Sequence, residues 1–387
     1  MKKELGIYIH IPFCKKKCYY CDFVSYPDKL DLEERYIEAV IRELESYDLS
    51  KYNITTLYIG GGTPSYISSK LIAKLLNNIK EKLVLNETKW EDIEITIEVN
   101  PGTVNSEKLE EYKKSGVNRL SIGLQTTNDK MLEKIGRIHK YEDFLETYNL
   151  ARKLGFKNIN VDLIIGLPEE GINDIKEDLQ KIINLNPDHI SVYSLIVEEG
   201  TKIEKLLNEK KITLPDDEKE RQMYWYVKNT LELIGYTHYE ISNFAKENME
   251  SKHNMNCWDQ KEYIGLGLAA YSYLDNIRYG NTSNLERYIE NKDFTDEKEL
   301  ESNKIRIVDE VQSLDDRKKE YMMLGLRKIK GVKISKFKEK FGENPIYIFR
   351  NELEKLVKEN LLIVDGDNIF LSNKGLDLAN LVFEEFV

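Results

Sequence analysis

Three of the four cysteines of the chain lie close together, in the segment IHIPFCKKKCYYCDFVSY at residues 9–26. Cys14, Cys18 and Cys21 have the spacing C-x3-C-x2-C. Cysteine thiolates are the soft, anionic ligands that iron-sulfur clusters require, and three of them can bind one face of a cubane cluster. The fourth iron would have no protein ligand, and an open coordination position is typical of a catalytic metal site. The spacing therefore predicts a 4Fe-4S cluster with one open iron.

Two alternatives to the cluster use the same residues. A zinc ion held by three thiolates needs a fourth ligand, which His10 could supply. The three cysteines could also be unrelated buried thiols. Phe23 stands where one more cysteine would complete a set of four, so a cluster bound here would keep its open iron.

Short apolar segments alternate with amphipathic helical patterns over the first half of the chain. The strand candidates are residues 5–11, 54–60, 92–99, 118–124, 158–166 and 189–197. The clearest helix candidates between them are residues 33–47 and 69–83. Strands that alternate with helices build a parallel sheet, either doubly wound or curved into a full or partial (β/α) barrel.

Polar and glycine-rich motifs stand where these strand candidates end. After the cysteine segment they are GGGTPS at 60–65, Glu98 in EVNP, Gln125 and Asp162, with Arg137 in GRIHKYEDF. Glycines can take positive φ and expose N–H groups to a ligand. Because the strand ends of such a sheet meet at one edge, the motifs predict a single site around the cluster. Taken singly, the glycines could form a tight turn, and the polar residues could cap helices or face solvent.

The second half of the chain has a different pattern. A long helix candidate at 216–235 precedes a polar loop at 238–258 that is rich in asparagine and aromatic residues, and an acidic connection covers 283–316. GLGLAAYS at 265–272 lacks the βαβ context of a dinucleotide fingerprint and predicts close backbone packing near the cofactor site. The C-terminal segment predicts a small helical unit with a two-stranded wing around residues 365–367.

Composition limits the class of protein. The 387 residues carry 57 Lys and Arg against 68 Asp and Glu, a net charge of −11 with a pI near 5.3, which argues against a nucleic-acid surface as the main function. The apolar start of the chain is too short for a signal peptide or a membrane anchor. Four cysteines make no disulfide framework, and their clustering predicts a reducing compartment, the cytoplasm.

The motifs CKKKCYYC, GGGTP, IEVNPGT, LSIGLQT, GRIH and VDLIIGLP together resemble radical S-adenosylmethionine enzymes of the oxygen-independent coproporphyrinogen oxidase superfamily. The resemblance implies a partial (β/α)6 TIM-like barrel over residues 1–300 and a small helical, winged-helix-like domain over 301–387. In that superfamily the open iron binds the amino and carboxylate groups of S-adenosylmethionine. By matching position, the contacts to that cofactor would be Tyr8, Gly61, Gly62, Thr63, Glu98, Gln125, Arg137 and Asp162.

Two features resemble the HemW-type haem chaperones of that superfamily rather than the coproporphyrinogen dehydrogenases. The dehydrogenases continue the motif to C-x3-C-x2-C-x-C after a longer N-terminal segment, whereas this chain has Phe23 at the extra position and 13 residues before Cys14. YEISNFA at 239–245 and HNMNCW at 253–258 resemble the HemW signature, in which HNxxYW is associated with haem binding. Cys257 stands in place of the signature tyrosine and adds a soft ligand.

The resemblance therefore implies a haem-associated loop at residues 236–275. His253 and Cys257 are the candidate haem ligands. Apolar contact to the porphyrin would come from Phe244, Trp258 and Tyr263. In the alternative interpretation, His253 and Asn254 only close the loop by hydrogen bonds.

The implied function is that of a haem chaperone with a 4Fe-4S cluster and S-adenosylmethionine. It would take haem as cargo and deliver it to acceptor haem proteins such as respiratory enzymes at the membrane, as a cytoplasmic protein with peripheral membrane contact. No nucleic-acid partner is expected. The alternatives are oxidative decarboxylation of coproporphyrinogen III, another radical reaction, and tRNA modification, which the acidic composition disfavours.

Overall fold

A computed structural model of the protein describes residues 2–83, 88–294 and 305–387. The strands in chain order are β1 (Lys3–Ile11), β2 (Phe13–Cys14), β3 (Tyr26–Pro27), β4 (Tyr52–Gly61), β5 (Glu94–Val99), β6 (Arg119–Gln125), β7 (Asn158–Ile165), β8 (His189–Ser194), β9 (Thr237–Glu240), β10 (Asn243–Ala245), β11 (Tyr263–Leu266), β12 (Tyr271–Leu274), β13 (Ile277–Asn281), β14 (Arg306–Val311), β15 (Val332–Lys333), β16 (Leu362–Asp365) and β17 (Asn368–Leu371).

Most helices pack outside the sheet or form the C-terminal unit. The helices are α1 (Glu33–Glu45), α2 (Ser69–Lys82), α3 (Ser106–Lys114), α4 (Asp129–Lys134), α5 (Tyr141–Lys153), α6 (Ile172–Leu185), α7 (Lys202–Asn208), α8 (Asp217–Leu233), α9 (Lys252–Trp258), α10 (Leu285–Glu290), α11 (Leu314–Gly325), α12 (Ile334–Phe341), α13 (Pro345–Ile348), α14 (Arg350–Lys358), α15 (Asn373–Asp377) and α16 (Ala379–Glu384). No helix in the described part of the chain is long and apolar enough to cross a membrane.

The main sheet has the strand order β14-β13-β12-β11-β1-β4-β5-β6-β7-β8-β10-β9. The seven strands from β11 to β8 are parallel, and antiparallel strands extend the sheet at both ends. The edge strands β14 and β9 do not pair with each other, so the described strands form an open barrel. All six strand candidates are present, and the partial barrel that the resemblance implies is confirmed.

Alternate residues of the central strands face two environments, as the period of two in a strand requires. In β1, Ile7, Ile9 and Ile11 are fully buried and belong to the large apolar core formed with the helices. Tyr8 and His10, on the opposite face, contact each other and the polar interior of the barrel. The apolar face holds the helices in place, and the polar face is left to build a site.

The prediction of a polar loop at 238–258 is wrong, because the structure places most of β9, all of β10 and all of α9 there. These residues lack a strong sequence periodicity, and their structure depends on contacts with distant parts of the chain. Strand β10 pairs with β8. Glu94 of β5 accepts hydrogen bonds from the amides of Lys252 and His253. The predicted connection at 283–316 contains α10 and β14, with residues 295–304 outside the described part. The domain boundary predicted between residues 300 and 301 also lies outside it.

The C-terminal unit has its own apolar core and a three-stranded sheet in the order β15-β17-β16. The predicted wing is formed by β16 and β17, which pair antiparallel around the turn at Gly366. The unit contacts the barrel directly, since Ile241 packs against its core and the Trp225 indole donates to Asp377 at 2.6 Å.

Glu43 of α1 joins four separate segments of the barrel in the core. Its carboxylate is fully buried and accepts hydrogen bonds from the Gly267 amide at 2.8 Å, the Asn281 side chain at 2.7 Å and the Tyr288 hydroxyl at 2.5 Å. Arg306 of β14 pairs with it at 3.4 Å. This one carboxylate therefore ties α1 to the antiparallel end of the sheet.

Replacing Glu43 by Ala should lower the free energy of unfolding by about 3 to 5 kcal/mol, because three buried donors and the partly buried Arg306 lose their acceptor. Glu34→Ala, an exposed change in the first turn of the same helix, should stay within about 0.5 kcal/mol. Urea unfolding of both variants measures the difference. Equal stability of the two would show that the Glu43 contacts do not stabilise the fold.

Candidate active site

A cavity of about 550 Å³ opens at the carboxyl ends of the parallel strands. The sequence-predicted residues that line it are Cys14, Cys18, Cys21, Gly61, Gly62, Thr63, Glu98, Gln125, Arg137 and Asp162. The loops after five different strands converge here, so the structure brings together residues that are almost 150 positions apart in sequence. Tyr8 is not among the lining residues.

The three thiols lie in a polar, partly cationic setting. Thr63 donates its hydroxyl to Cys14 Sγ at 3.5 Å, and the Arg137 guanidinium donates to Cys18 Sγ at 3.5 Å. Burial raises the pKa of Cys14 and raises that of Cys21 to about 11. Cys14 and Cys21 are therefore neutral on their own, and a bound cation would be needed to hold them as thiolates.

Two glycines leave the space beside these thiols clear. A Cβ at Gly62 would lie 2.8 Å from Cys14 Sγ, and a Cβ at Gly61 would lie 2.7 Å from the His10 ring. Gly61 also has φ of +114°, a conformation that side chains disfavour. The glycines of this motif are therefore needed because the backbone passes so close to Cys14 and His10 that a side chain would not fit.

His10 is not directed at the cysteines. Its Nε2 contacts the Val24 carbonyl at 2.9 Å and its Nδ1 contacts the Tyr8 hydroxyl at 3.1 Å. In the described part of the chain, no three His, Cys, Asp or Glu side chains converge as they would around a single metal ion. Three thiols spread around a cavity fit a multi-iron cluster, in which each thiolate binds a different iron.

Two carboxylates face the same cavity. Glu98 accepts hydrogen bonds from the Tyr58 hydroxyl at 3.0 Å and the Gly61 amide at 3.1 Å. Burial, together with the nearby charge of Asp162, raises the pKa of Glu98 to about 7. Asp162 accepts from Ser121 at 3.1 Å and Asn160 at 2.7 Å, and burial raises its pKa as well.

Arg137 connects the cysteine loop to the strand ends. One of its terminal nitrogens donates to the Asn100 side chain and to the Gly123 carbonyl, both at 2.6 Å. Its Nε has no hydrogen-bond partner within the described residues, although the atom is buried. Gln125 takes φ of +75° where the pairing of β6 with β7 shifts. The bend turns Gln125 into the cavity instead of continuing the strand.

Several lining residues were missed from the sequence. Tyr58 lines the cavity, whereas Tyr8, its paired neighbour on β1, does not, although the two rings are 6.2 Å apart. The sequence does indicate Tyr58, because it lies two residues before Gly60 and therefore on the same face of the strand. Asn100, which holds Arg137, is part of the EVNP motif already noted for Glu98. Tyr193 of β8 lines the cavity without any local sequence signal.

The candidate haem ligands do not line this cavity. The His253 ring is enclosed beside β4, with Nδ1 2.9 Å from the Thr56 hydroxyl and its centroid 5.1 Å from that of Tyr58. Burial lowers the pKa of His253 to about 4, so its imidazole is neutral, and burial raises the pKa of Cys257 to about 11.

GLGLAAYS packs closely against the strand that precedes the cysteines. A Cβ at Gly267 would lie 2.5 Å from the Tyr36 hydroxyl and 2.7 Å from the His10 carbonyl. Tyr36 donates to that carbonyl at 2.6 Å and accepts from the Leu268 amide at 2.9 Å. The close packing predicted for this segment is present.

Replacing Cys14, Cys18 and Cys21 together by Ala should abolish the brown colour and the iron content of anaerobically reconstituted protein, because no other thiol of the described residues lines this cavity. Cys257→Ala is the matched control and should keep about four irons per chain. Iron analysis and visible absorbance measure both, and circular dichroism confirms folding. Iron retained by the triple variant would contradict the assignment.

Comparison with known proteins agrees with this geometry. Residues 8–182 match the Radical SAM superfamily, and residues 312–378 match the HemN C-terminal domain. Among solved structures, that of coproporphyrinogen III oxidase (HemN) from Escherichia coli, a radical SAM enzyme, gives a TM-score of 0.83 over 100% of this chain and 90% of that chain. At 24% identity this likeness shows the fold alone.

Curated relatives match over the full length. The chain is 38% identical to a protein of Lactococcus lactis subsp. lactis named Heme chaperone HemW, over 100% of this chain and 98% of the relative. It is 37% identical to the Bacillus subtilis protein of the same name, over 98% of both. The chain therefore belongs to the HemW family of the radical SAM superfamily.

Proposed function

We propose that the protein binds haem and passes it to acceptor haem proteins, and that it also holds a 4Fe-4S cluster and S-adenosylmethionine. The observation that carries the haem role is the full-length similarity to relatives named heme chaperones. Respiratory enzymes at the membrane are the proposed acceptors, which would place the protein in the cytoplasm with peripheral contact to the membrane.

The cavity at the strand ends is the proposed cofactor site. The cluster with bound S-adenosylmethionine would supply one-electron chemistry there. Cys14, Cys18 and Cys21 would hold the cluster, and the Arg137 guanidinium beside Cys18 would offset its negative charge. The backbone of Gly61 and Gly62 allows a ligand to approach closely because neither residue has a side chain.

The polar residues around the cavity would position S-adenosylmethionine. Glu98 and Asp162 offer acceptors for its amino and ribose hydroxyl groups, and Gln125 and Arg137 offer donors for its carboxylate. Tyr58 would contact the cofactor together with Tyr8, since Tyr58 lines the cavity and the Tyr8 ring lies 6.2 Å from the Tyr58 ring.

Phe23 supports a function other than porphyrin decarboxylation. It lines the mouth of the cavity with 60% of its surface exposed, at the position where the dehydrogenases carry a further cysteine. Its carbonyl accepts from the Lys17 ammonium at 2.9 Å, which fixes the loop beyond Cys21. An apolar side chain at this position cannot serve as a ligand or exchange protons.

A second candidate function is a radical reaction on a substrate, coproporphyrinogen III included. The observation in its favour is the complete set of polar residues around the cofactor cavity, including Glu98, Arg137 and Asp162. Modification of tRNA is a weaker candidate because the chain carries a net charge of −11.

Purified, anaerobically reconstituted protein should bind about one haem per chain and should not decarboxylate coproporphyrinogen III. A haem titration by absorbance, run alongside an assay for released 5′-deoxyadenosine, measures both activities on one preparation. Release of deoxyadenosine in proportion to porphyrin formed would show instead that the protein is a radical enzyme acting on coproporphyrinogen III. Binding of labelled tRNA at physiological salt, absent under the proposal, would point to the third candidate.

A further inference from the structure

A second cavity lies at the opposite end of the parallel strands, between the barrel and the C-terminal unit. Its volume is about 870 Å³, within the range of roughly 300 to 1,000 Å³ typical of cofactor sites. The walls come from β9, from α9 with the turn that follows it, and from residues 328–340 with Tyr321 of α11. None of the residues predicted to contact the cluster or S-adenosylmethionine lines it.

The cavity is cationic in an otherwise acidic protein. Six lysines line it against three carboxylates, whereas the chain as a whole has a net charge of −11. Lys328 pairs with Asp259, but Lys330 and Lys333 have no ion-pair partner among the described residues. An excess of unpaired lysines in a concave site favours an anionic ligand.

Lys340 strengthens this charge pattern. Its ammonium donates only to the carbonyl and side-chain oxygens of Gln260, at 3.2 and 3.0 Å, and has no carboxylate partner within the described part of the chain. Desolvation, with Arg317 nearby, lowers the pKa of Lys340 to about 8. A bound carboxylate would relieve this destabilisation of the charged form.

The remainder of the wall is apolar and aromatic. Met255 of α9, Tyr239 of β9 and Tyr321 of α11 contribute to it, and the Lys340 ammonium lies 4.8 Å from the centre of the Tyr321 ring. His238 is also in the wall, 5% exposed, and its buried Nδ1 has no hydrogen-bond partner among the described residues. Burial lowers the pKa of His238 to about 4, which keeps the imidazole neutral.

We infer that this second cavity binds haem, with the porphyrin ring against the apolar wall and the two propionate carboxylates at the lysines. The inference rests on the proposed function, which supplies haem as the cargo, and deepens it by naming the site. A flat apolar ring that carries two carboxylates matches both properties of the cavity. Lys330 and Lys333, the lysines without an ion-pair partner, are the proposed propionate contacts.

His253 acquires a positioning role under this inference. It lies on the inner side of α9, bonded to Thr56, while Met255 on the same helix faces the cavity. Glu94 holds the first turn of α9 through the amides of Lys252 and His253, both at 3.1 Å. The signature helix would thus be one wall of the haem site, anchored to the barrel by its histidine.

The test titrates ferric haem into the full chain and into Lys330→Glu/Lys333→Glu, with Lys338→Glu/Lys358→Glu as a control of equal charge outside the cavity. The cavity variant should bind haem at least tenfold more weakly, and the control within twofold of wild type. Haem dimethyl ester, which lacks the carboxylates, should bind wild type and the cavity variant equally. Equal haem affinity in the cavity variant and the control would show that haem does not bind in this cavity. That result would not contradict the proposal that the protein binds haem. Absence of haem binding by wild type would overturn the proposed function as well.

The role of His253 is tested in the same titration. His253→Ala should weaken haem binding without moving the Soret maximum, because the histidine does not touch iron, and His253→Gln should restore part of the affinity by bonding Thr56. A Soret shift in His253→Ala, with the spectrum of haem that has lost a nitrogen ligand, would establish direct ligation and contradict the positioning role.

Discussion

The parallel pairing of seven adjacent strands is the constraint on which the rest of the structure depends. Because β1 pairs with β4 up to Ile11 and Gly61, the cysteine loop that follows β1 lies beside Gly62 and Thr63. Pairing of β4 with β5 and of β6 with β7 brings Glu98, Gln125 and Asp162 to the same edge. Residues far apart in sequence therefore meet through backbone hydrogen bonds alone.

The same pairing creates a polar interior between the two cavities. Asp162, at the cofactor cavity, accepts from Asn160, whose side-chain oxygen lies 2.5 Å from His189 Nδ1. His189 Nε2 lies 2.8 Å from the hydroxyl of Tyr239, which lines the second cavity. A continuous chain of hydrogen bonds thus runs through the barrel from one cavity to the other. Buried polar groups need such partners, and the network makes the interior rigid as well as polar.

The sequence predicted those features that depend on local pattern. Six strands, the helices beside them, the cysteine loop and the wing follow from periodicity and motif, and most of the predicted cofactor residues do line one cavity. Tyr8 and Tyr58 show the limit: they pair across β1 and β4 and both face inward, and no local sequence pattern decides which of them reaches the cavity. Residues 238–258 show a second limit of prediction from sequence, because their strands and helix depend on β8 and Glu94, which are distant in sequence.

Under the proposals made above, cofactor and haem occupy opposite ends of the strands. The most direct measurement is diffraction at the iron absorption edge from crystals of the reconstituted protein with bound haem. We expect two separate iron peaks, one beside Cys14, Cys18 and Cys21 and the other between α9 and the C-terminal unit. A haem iron located in the cysteine-lined cavity, or within bonding distance of His253, would contradict it.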